Sequence, residues 1–230
     1  MTGATGNIYC GLHEFVDMAF LLHLLRPNDL FVDVGANIGS YTVLASGVCR
    51  ARTIAIEPDP NTMQSLRRNV EANGLNNAVV LEEVALGSEP GRVKFTIGKD
   101  TMNHVATESD SNTRVVEVRS LDAVLDGLNP ILIKMDVEGY ETQVIAGASA
   151  TLRNPSLLAV QLESVDDTVR TIFANLGFKI ASYNPFTRRL VDAEYGSELS
   201  SNNTLFVRNV AVCSTRVKMA PSRNILGHQI

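Results

Sequence analysis

Short apolar runs separated by helical stretches dominate the first two thirds of the chain. Leu30 to Val34, Thr53 to Ile56, Ala78 to Glu83, Ile131 to Met135 and Leu157 to Leu162 read as strands, being short, rich in β-branched residues and bounded by turn residues. Ser40 to Val48, Asn61 to Asn73 with Gly74 after it, Glu138 to Ala146 and Asp166 to Leu176 read as helices. Phe178 to Tyr183 and Thr204 to Val207 close the series of strands. Strand and helix in alternation imply parallel pairing, and right-handed crossovers then give an open, doubly wound α/β sheet of Rossmann-like form. Ligands of such sheets lie beyond the carboxyl ends of the strands, where strand order reverses.

Three regions depart from this rhythm. Phe15 to Leu25 carries apolar residues at helical spacing and is predicted as an amphipathic helix that packs on the sheet and stops at Arg26-Pro27-Asn28. Gly91 to Ile97 and Val115 to Arg119 read as an inserted hairpin, 91–119, around a polar segment, Gly98 to Thr113, expected to be a mobile loop. The stretch 210–230 has no clear period and contains Pro221 and Gly227; it is left as an extension of undecided order beyond one domain spanning 1–209.

Composition narrows the function. With 230 residues and 45% hydrophobic content the chain can bury a full core. A net charge of -5 opposes the phosphate neutralisation that nucleic-acid binding requires, and Trp is absent. Cys10, Cys49 and Cys213 are odd in number and far apart, which suits free thiols in a reducing compartment, so a cytoplasmic location is expected. The one apolar run near the start is too short to span a bilayer and is interrupted by Asp17 and His23, so no membrane association is expected.

The chemistry gathers at the first strand. In FVDVGANIGSYT, Phe31 to Thr42, a strand runs into a turn with Gly35 and Gly39, where missing Cβ atoms allow a tight bend and close approach of a ligand. A dinucleotide fingerprint would place its second glycine where Asn37 stands, which disfavours a pyrophosphate. Glu57, at the end of the second strand and about 20 residues past the turn, is placed to accept hydrogen bonds from both hydroxyls of a ribose. Asp33 reads either as a brace for the backbone N–H groups of the turn or as a direct contact to a cofactor.

Seven blocks in order, FVDVGANIGSYT, IAIEPDP, ALGSEPGRVKF, SLDAVL, ILIKMDVEGYETQVIAGA, LLAVQLE and NNTLFV, resemble the FkbM family of class I S-adenosylmethionine-dependent methyltransferases, over roughly Gly6 to Arg208. The resemblance implies a seven-stranded, mostly parallel sheet with an antiparallel last strand, S-adenosyl-L-methionine as methyl donor, and a hydroxyl acceptor on a sugar, glycan or secondary metabolite. Matched position by position, it assigns Gly35, Ala36, Asn37 and Gly39 to the methionine part of the cofactor, with Tyr41 and Thr42 nearby. Glu57 falls to the ribose, Pro58, Glu83, Val84 and Ala85 to the adenine side, and Asp136 and Glu138 to the methyl and acceptor end. The segment NIYCGLHE, Asn7 to Glu14, would cover the cofactor.

An alcohol is a poor nucleophile until its proton leaves, so a base within hydrogen-bond reach is expected. The candidates are His104 in the polar insert, Asp136, Glu138 and Glu163. Each has a plainer reading: His104 as an exposed loop residue, Asp136 as a partner of the sulfonium or amino group, Glu138 as the favourable charge that starts a helix, and Glu163 as a partner of Arg170. Glu141 is expected to be solvated. His13, His23 and His228 show no metal-ligand spacing, and no metal is assigned, although Asp136, Glu138 and Glu163 together could hold Mg²⁺. The block KMDVEGY offers no stacking aromatic of the kind that flips out a base. A small-molecule or carbohydrate acceptor is the expected partner, without nucleic acid or membrane, and a homodimer is left open. The competing functions are a dinucleotide-dependent oxidoreductase and a non-catalytic module that keeps the fold.

Overall fold

The computed structural model describes residues 11–96, 104–107, 110, 112–192 and 201–230. A sheet in the order β10-β9-β11-β8-β7-β1-β2-β3 runs through the molecule. Its strands are β1 (Leu30–Val34), β2 (Arg52–Ile56), β3 (Val79–Glu82), β7 (Leu132–Met135), β8 (Ala159–Leu162), β9 (Lys179–Asn184), β10 (Arg189–Asp192) and β11 (Thr204–Val207). From β3 to β8 every pairing is parallel, whereas β11 lies antiparallel between β8 and β9. The expected seven strands are present, and β10 adds an antiparallel edge strand against β9. Every residue of β1, β7 and β8 is buried, as the continuous apolar runs require of strands covered on both faces.

The crossover helices follow their local signals. Helix α2 (Ser40–Val43) continues into a π-helical turn, Leu44–Val48, before β2. In α3 (Pro60–Ala72), Asp59 caps the N-terminus by accepting from the Asn61 N–H at 2.9 Å, and Pro60 takes the first position. Helix α4 (Leu121–Leu125) is capped by Ser120. Helices α5 (Glu141–Ala146) and α6 (Ser149–Arg153) lead to β8, and α7 (Asp167–Asn175), capped by Asp166, leads to β9. The inserted hairpin forms from β5 (Gly91–Thr96) and β6 (Thr113–Arg119), and β4 (Ala85–Leu86) pairs parallel with β6 to make a separate three-stranded sheet. Most of the segment expected as a mobile loop lies outside the described residues.

The first helix, α1 (Phe15–Leu24), is not amphipathic. Its residues from Val16 to Leu24 are all buried, including Asp17 and His23. The reason lies at the other end of the chain, where the stretch left undecided from sequence folds as α8 (Val210–Lys218) and packs on α1, while β9 and the π-turn take its other sides. A helix covered on every side needs no polar stripe. Arg216 of α8 ties the two together, donating from Nε to the Leu24 carbonyl at 3.0 Å and pairing with Asp29. Beyond α8, a two-stranded turn of β12 (Asn224–Ile225) and β13 (His228–Gln229) is held by the Arg188 guanidinium, which donates to the carbonyls of Ala220, Pro221 and Ile230. Cys49 and Cys213 are buried free thiols. Among the described residues no helix is long and apolar enough to cross a membrane.

Candidate functional site

Order in the large sheet reverses at β1, which has β2 on one side and β7 on the other. At the carboxyl ends of these strands a cleft of about 310 Å³ opens, lined from β1, β2, β7 and β8, from the start of the inserted sheet, and from His13 and Glu14 before α1.

The glycine turn forms one wall. Gly35, Asn37 and Gly39 have φ of +73°, +50° and +93°. Gly35 is required for a reason other than ligand approach: a Cβ there would lie 1.8 Å from the Asp136 carbonyl oxygen of the neighbouring strand. A Cβ on Gly39 would lie 2.4 Å from Leu66 Cδ1. The N–H groups of the turn are all used within the fold. Those of Gly35 and Ala36 donate to the Ile56 carbonyl, both at 3.0 Å, that of Asn37 to Glu57 Oε2 at 3.0 Å, that of Ile38 to Asn37 Oδ1 at 2.7 Å, and that of Gly39 to the Ala36 carbonyl at 2.9 Å.

Glu57 stands where its position in sequence places it. Its Oε1 accepts from the Asp59 N–H at 2.9 Å, so each carboxylate oxygen holds one backbone donor and keeps a further lone pair. Burial pushes its pKa up to about 7, although the two N–H bonds pull the other way. Asp33 lines the cleft, but it does not brace the turn. It accepts from Thr42 Oγ1 at 2.6 Å, fastening the start of α2 to β1, and burial raises its pKa to about 6 against the pull of Lys134. Thr42 is fully buried in this bond and does not line the cleft; Gly39 is likewise behind the surface.

The segment expected on the adenine side lines the cleft one position further along the chain. Glu83 is exposed and is not part of the lining, because β3 ends at Glu82 and the chain turns into β4; Val84, Ala85 and Leu86 line the cleft, together with Phe95 and Val105 of the insert. Pro58 and Ala36 line the cleft as expected.

At the other end, β7 delivers Lys134 and Asp136. Lys134, which the sequence reading passed over, is buried in the sheet; its Nζ donates to Asp136 Oδ2 at 2.8 Å and lies 4.8 Å from the centre of the Tyr41 ring. The only signal in the sequence is a single cation inside the apolar run ILIKMD. Burial alone would lower the Lys134 pKa, but Asp136, Asp33 and Glu14 together hold it above its ordinary value. Tyr41 donates through its hydroxyl to Glu14, so Tyr41 and Glu14 cover this end of the cleft.

Asp136 and Glu163 face one another across the ends of β7 and β8. One carboxyl oxygen of each, and one of Glu138, lie within 4.8 Å of one another. Burial acts to raise the Asp136 pKa, yet the Lys134 ammonium and the hydrogen bond with Glu163 bring it below the ordinary range. That same hydrogen bond, followed by burial and the Asp136 charge, lifts Glu163 to about 8. The pair therefore shares one proton near neutrality.

Four expectations change here. Glu138 does not start a helix: it has φ +50° and is exposed at the rim, while the helix begins at Glu141, whose side chain is buried rather than solvated and accepts from the Gly139 N–H. The partner of Glu163 is Asp136, not Arg170. His104 is outside the lining; its Nε2 lies 3.3 Å from Asp110 Oδ2, because the insert turns its neighbours Phe95 and Val105, and not its ring, toward the cleft. Of NIYCGLHE, His13 and Glu14 reach the cleft, Gly11 and Leu12 do not, and the rest lies outside the described residues.

Comparison with known proteins gives this arrangement a relation. The chain is 26% identical over 147 residues to the hexuronic acid methyltransferase AglP of Haloferax volcanii, a match covering 63% of this chain and 60% of that protein. It is 31% identical over 124 residues to a probable cobalt-precorrin-6B C(15)-methyltransferase (decarboxylating) of Sulfurisphaera tokodaii, covering 50% of this chain and 64% of that one. The matches thus span under two thirds of either relative. A precorrin-6y C5,15-methyltransferase from Geobacter metallireducens superposes with a TM-score of 0.46 at 16% identity, covering 85% of this chain and 86% of that one, a likeness too loose to build on. The family model described as the methyltransferase FkbM domain matches residues 33–180, which include the glycine turn, Glu57, the Lys134–Asp136 pair and Glu163. The chain belongs to the FkbM methyltransferase family.

Proposed function

We propose that this protein transfers a methyl group from S-adenosyl-L-methionine to a hydroxyl of a sugar or sugar acid. The observation that carries the reading is the convergence, in one cleft at the switch point, of a ribose-type acid at one end and a lysine-braced pair of carboxyls at the other. The membership in the FkbM family supports methyl transfer, and the relation to a hexuronic acid methyltransferase supports a sugar-acid acceptor.

The residues present fit the cofactor. Glu57 has a free lone pair on each oxygen for the two ribose hydroxyls, and Val84, Ala85 and Leu86 offer an apolar surface for adenine. The turn from Gly35 to Gly39 has no N–H left for a pyrophosphate, which speaks against the dinucleotide alternative. When bound, S-adenosyl-L-methionine supplies a methyl carbon made electrophilic by its sulfonium. The remaining task is to bring a hydroxyl into line with that carbon and to take its proton.

The chain offers the Asp136–Glu163 pair for that proton. Lys134 keeps Asp136 ionised, and Asp136 in turn raises Glu163 toward the operating pH, where a carboxylate is a stronger base than an ordinary glutamate. With Glu163 ionised, its carboxylate accepts the acceptor's hydroxyl proton. Tyr41, Glu14, Phe95 and Val105 line the same space.

Incubation with isotopically labelled methyl donor and a panel of uronic acids, followed by mass spectrometry, tests the reading. A product carrying one labelled methyl on oxygen is expected. Label on nitrogen or carbon, or label on none of these acceptors, overturns the hydroxyl and sugar assignment.

A further inference from the structure

A second cavity, of about 370 Å³, lies between α1, the end of β8 and the start of β11. Two fully or nearly buried side chains in its wall, Gln161 and Asn203, each leave a carbonyl oxygen without a hydrogen-bond partner among the described residues. Their orientation is fixed by the other end of each amide. The Gln161 Nε2 donates to the Asp17 carbonyl at 3.1 Å, and the Asn203 Nδ2 donates to Glu14 Oε2 at 3.2 Å. Turning either amide over would set an oxygen against an oxygen, so the vacant groups are acceptors. An unmatched buried acceptor destabilises the fold, and a donor-bearing occupant removes that cost.

Two further residues shape the occupant. Asp17, in the same wall, is already supplied with donors: Ser201 Oγ at 2.7 Å and the Asn202 N–H at 3.1 Å. It acts as a brace that holds Gln161 and the start of β11. Arg170 of α7, an exposed residue, also lines the cavity, and no carboxylate among the described residues is paired with it. Acceptor oxygens and a guanidinium in one wall call for a ligand with hydroxyl donors and a carboxylate.

One hydrogen-bonded chain links the walls of the two cavities. Glu14, which accepts from Asn203, also accepts from Tyr41 and lines the first cleft. We infer that this second cavity is a subsite for a polyhydroxylated carboxylate, the part of the acceptor away from the reacting hydroxyl, bound through Gln161, Asn203 and Arg170. The inference rests on the sugar-acceptor reading above and extends it. Binding energy gathered there would position the hydroxyl at the Asp136–Glu163 pair.

Titration of the full chain by ligand-detected NMR, in the presence and absence of S-adenosylhomocysteine, tests it with D-glucuronic acid and D-glucose as probes. Glucuronic acid is expected to bind at least tenfold more tightly than glucose. Arg170→Met, at an exposed position that does not threaten the fold, is expected to remove that preference, and Gln161→Met to weaken both probes at least fivefold. The affinity for S-adenosylhomocysteine is expected to stay within twofold in both variants. Absence of binding by either sugar, meaning a cavity that holds only water, overturns the inference, as does equal binding by wild type and Arg170→Met. Failure of S-adenosylhomocysteine to bind would instead strike at the proposed reaction, while leaving the sugar titration to be read on its own.

Discussion

The buried cation Lys134 sets the character of the Asp136–Glu163 end of the cleft. Lys134 touches Asp136 and lies against Tyr41, and its charge is what lets Asp136 stay ionised while Glu163 keeps its proton to about pH 8. If Glu163 is the base, kcat should rise with pH and level off above about 8, as the carboxyl becomes ionised. Glu163→Gln is expected to abolish that limb and lower kcat by about 10²–10⁴-fold, with KM little changed. A pH–rate profile of both proteins measures this, and an unchanged profile in the variant would remove Glu163 from the role. At this scale the sequence is uneven. Glu57 and Asp136 could be found from strand-end position alone, because spacing and strand phase place them. Lys134 could not, since one charge in an apolar strand signals nothing until its partners on β1 and α2 are in place. Glu83 does not line the cleft, because where the chain leaves a strand end depends on the neighbouring sheet rather than on the strand's own residues.

The elements were read more securely where periodicity is local. The parallel strands and the helices between them follow from short apolar runs and from caps at Asp59, Ser120 and Asp166. What escaped is whatever depends on distant chain. The all-buried state of α1 follows from α8, and α8 itself shows only a weak period because apolar Val212 stands on its exposed side while few residues, Cys213 and Val217, are buried. The glycine turn was recognised, but its tightest constraint comes from β7. Gly35→Ala would place a Cβ 1.8 Å from a backbone oxygen at φ +73°, so β1 and β7 must separate. A loss of about 3–5 kcal/mol in urea unfolding is expected. A loss below about 1 kcal/mol would show that the turn can relax and that the strand contact is not what demands glycine.

For the molecule as a whole, the site is held at a cost to stability. Asp33 and Glu57 have folded pKa values of about 6 and about 7, above those of the unfolded chain, so the folded state binds their protons more tightly. Their contribution is fully present below about pH 4 and is lost as pH rises through 6 to 7. Asp136 works in the opposite sense, its contribution falling away in acid. The cofactor-free protein should therefore lose thermal stability between pH 5 and pH 8, and Asp33→Asn should flatten that slope. Thermal unfolding across this range checks the sign; a slope that rises toward pH 8, or one that Asp33→Asn leaves untouched, would contradict it.

Calorimetric titration with S-adenosylhomocysteine, beside NAD⁺ and beside Glu57→Ala, bears most directly on a nucleoside lying across the ends of β1 and β2. Binding of S-adenosylhomocysteine alone is expected, weakened in Glu57→Ala by about 1.5–3 kcal/mol, with the variant still folded by circular dichroism. Tighter binding of NAD⁺, or equal affinity in wild type and Glu57→Ala, would contradict it.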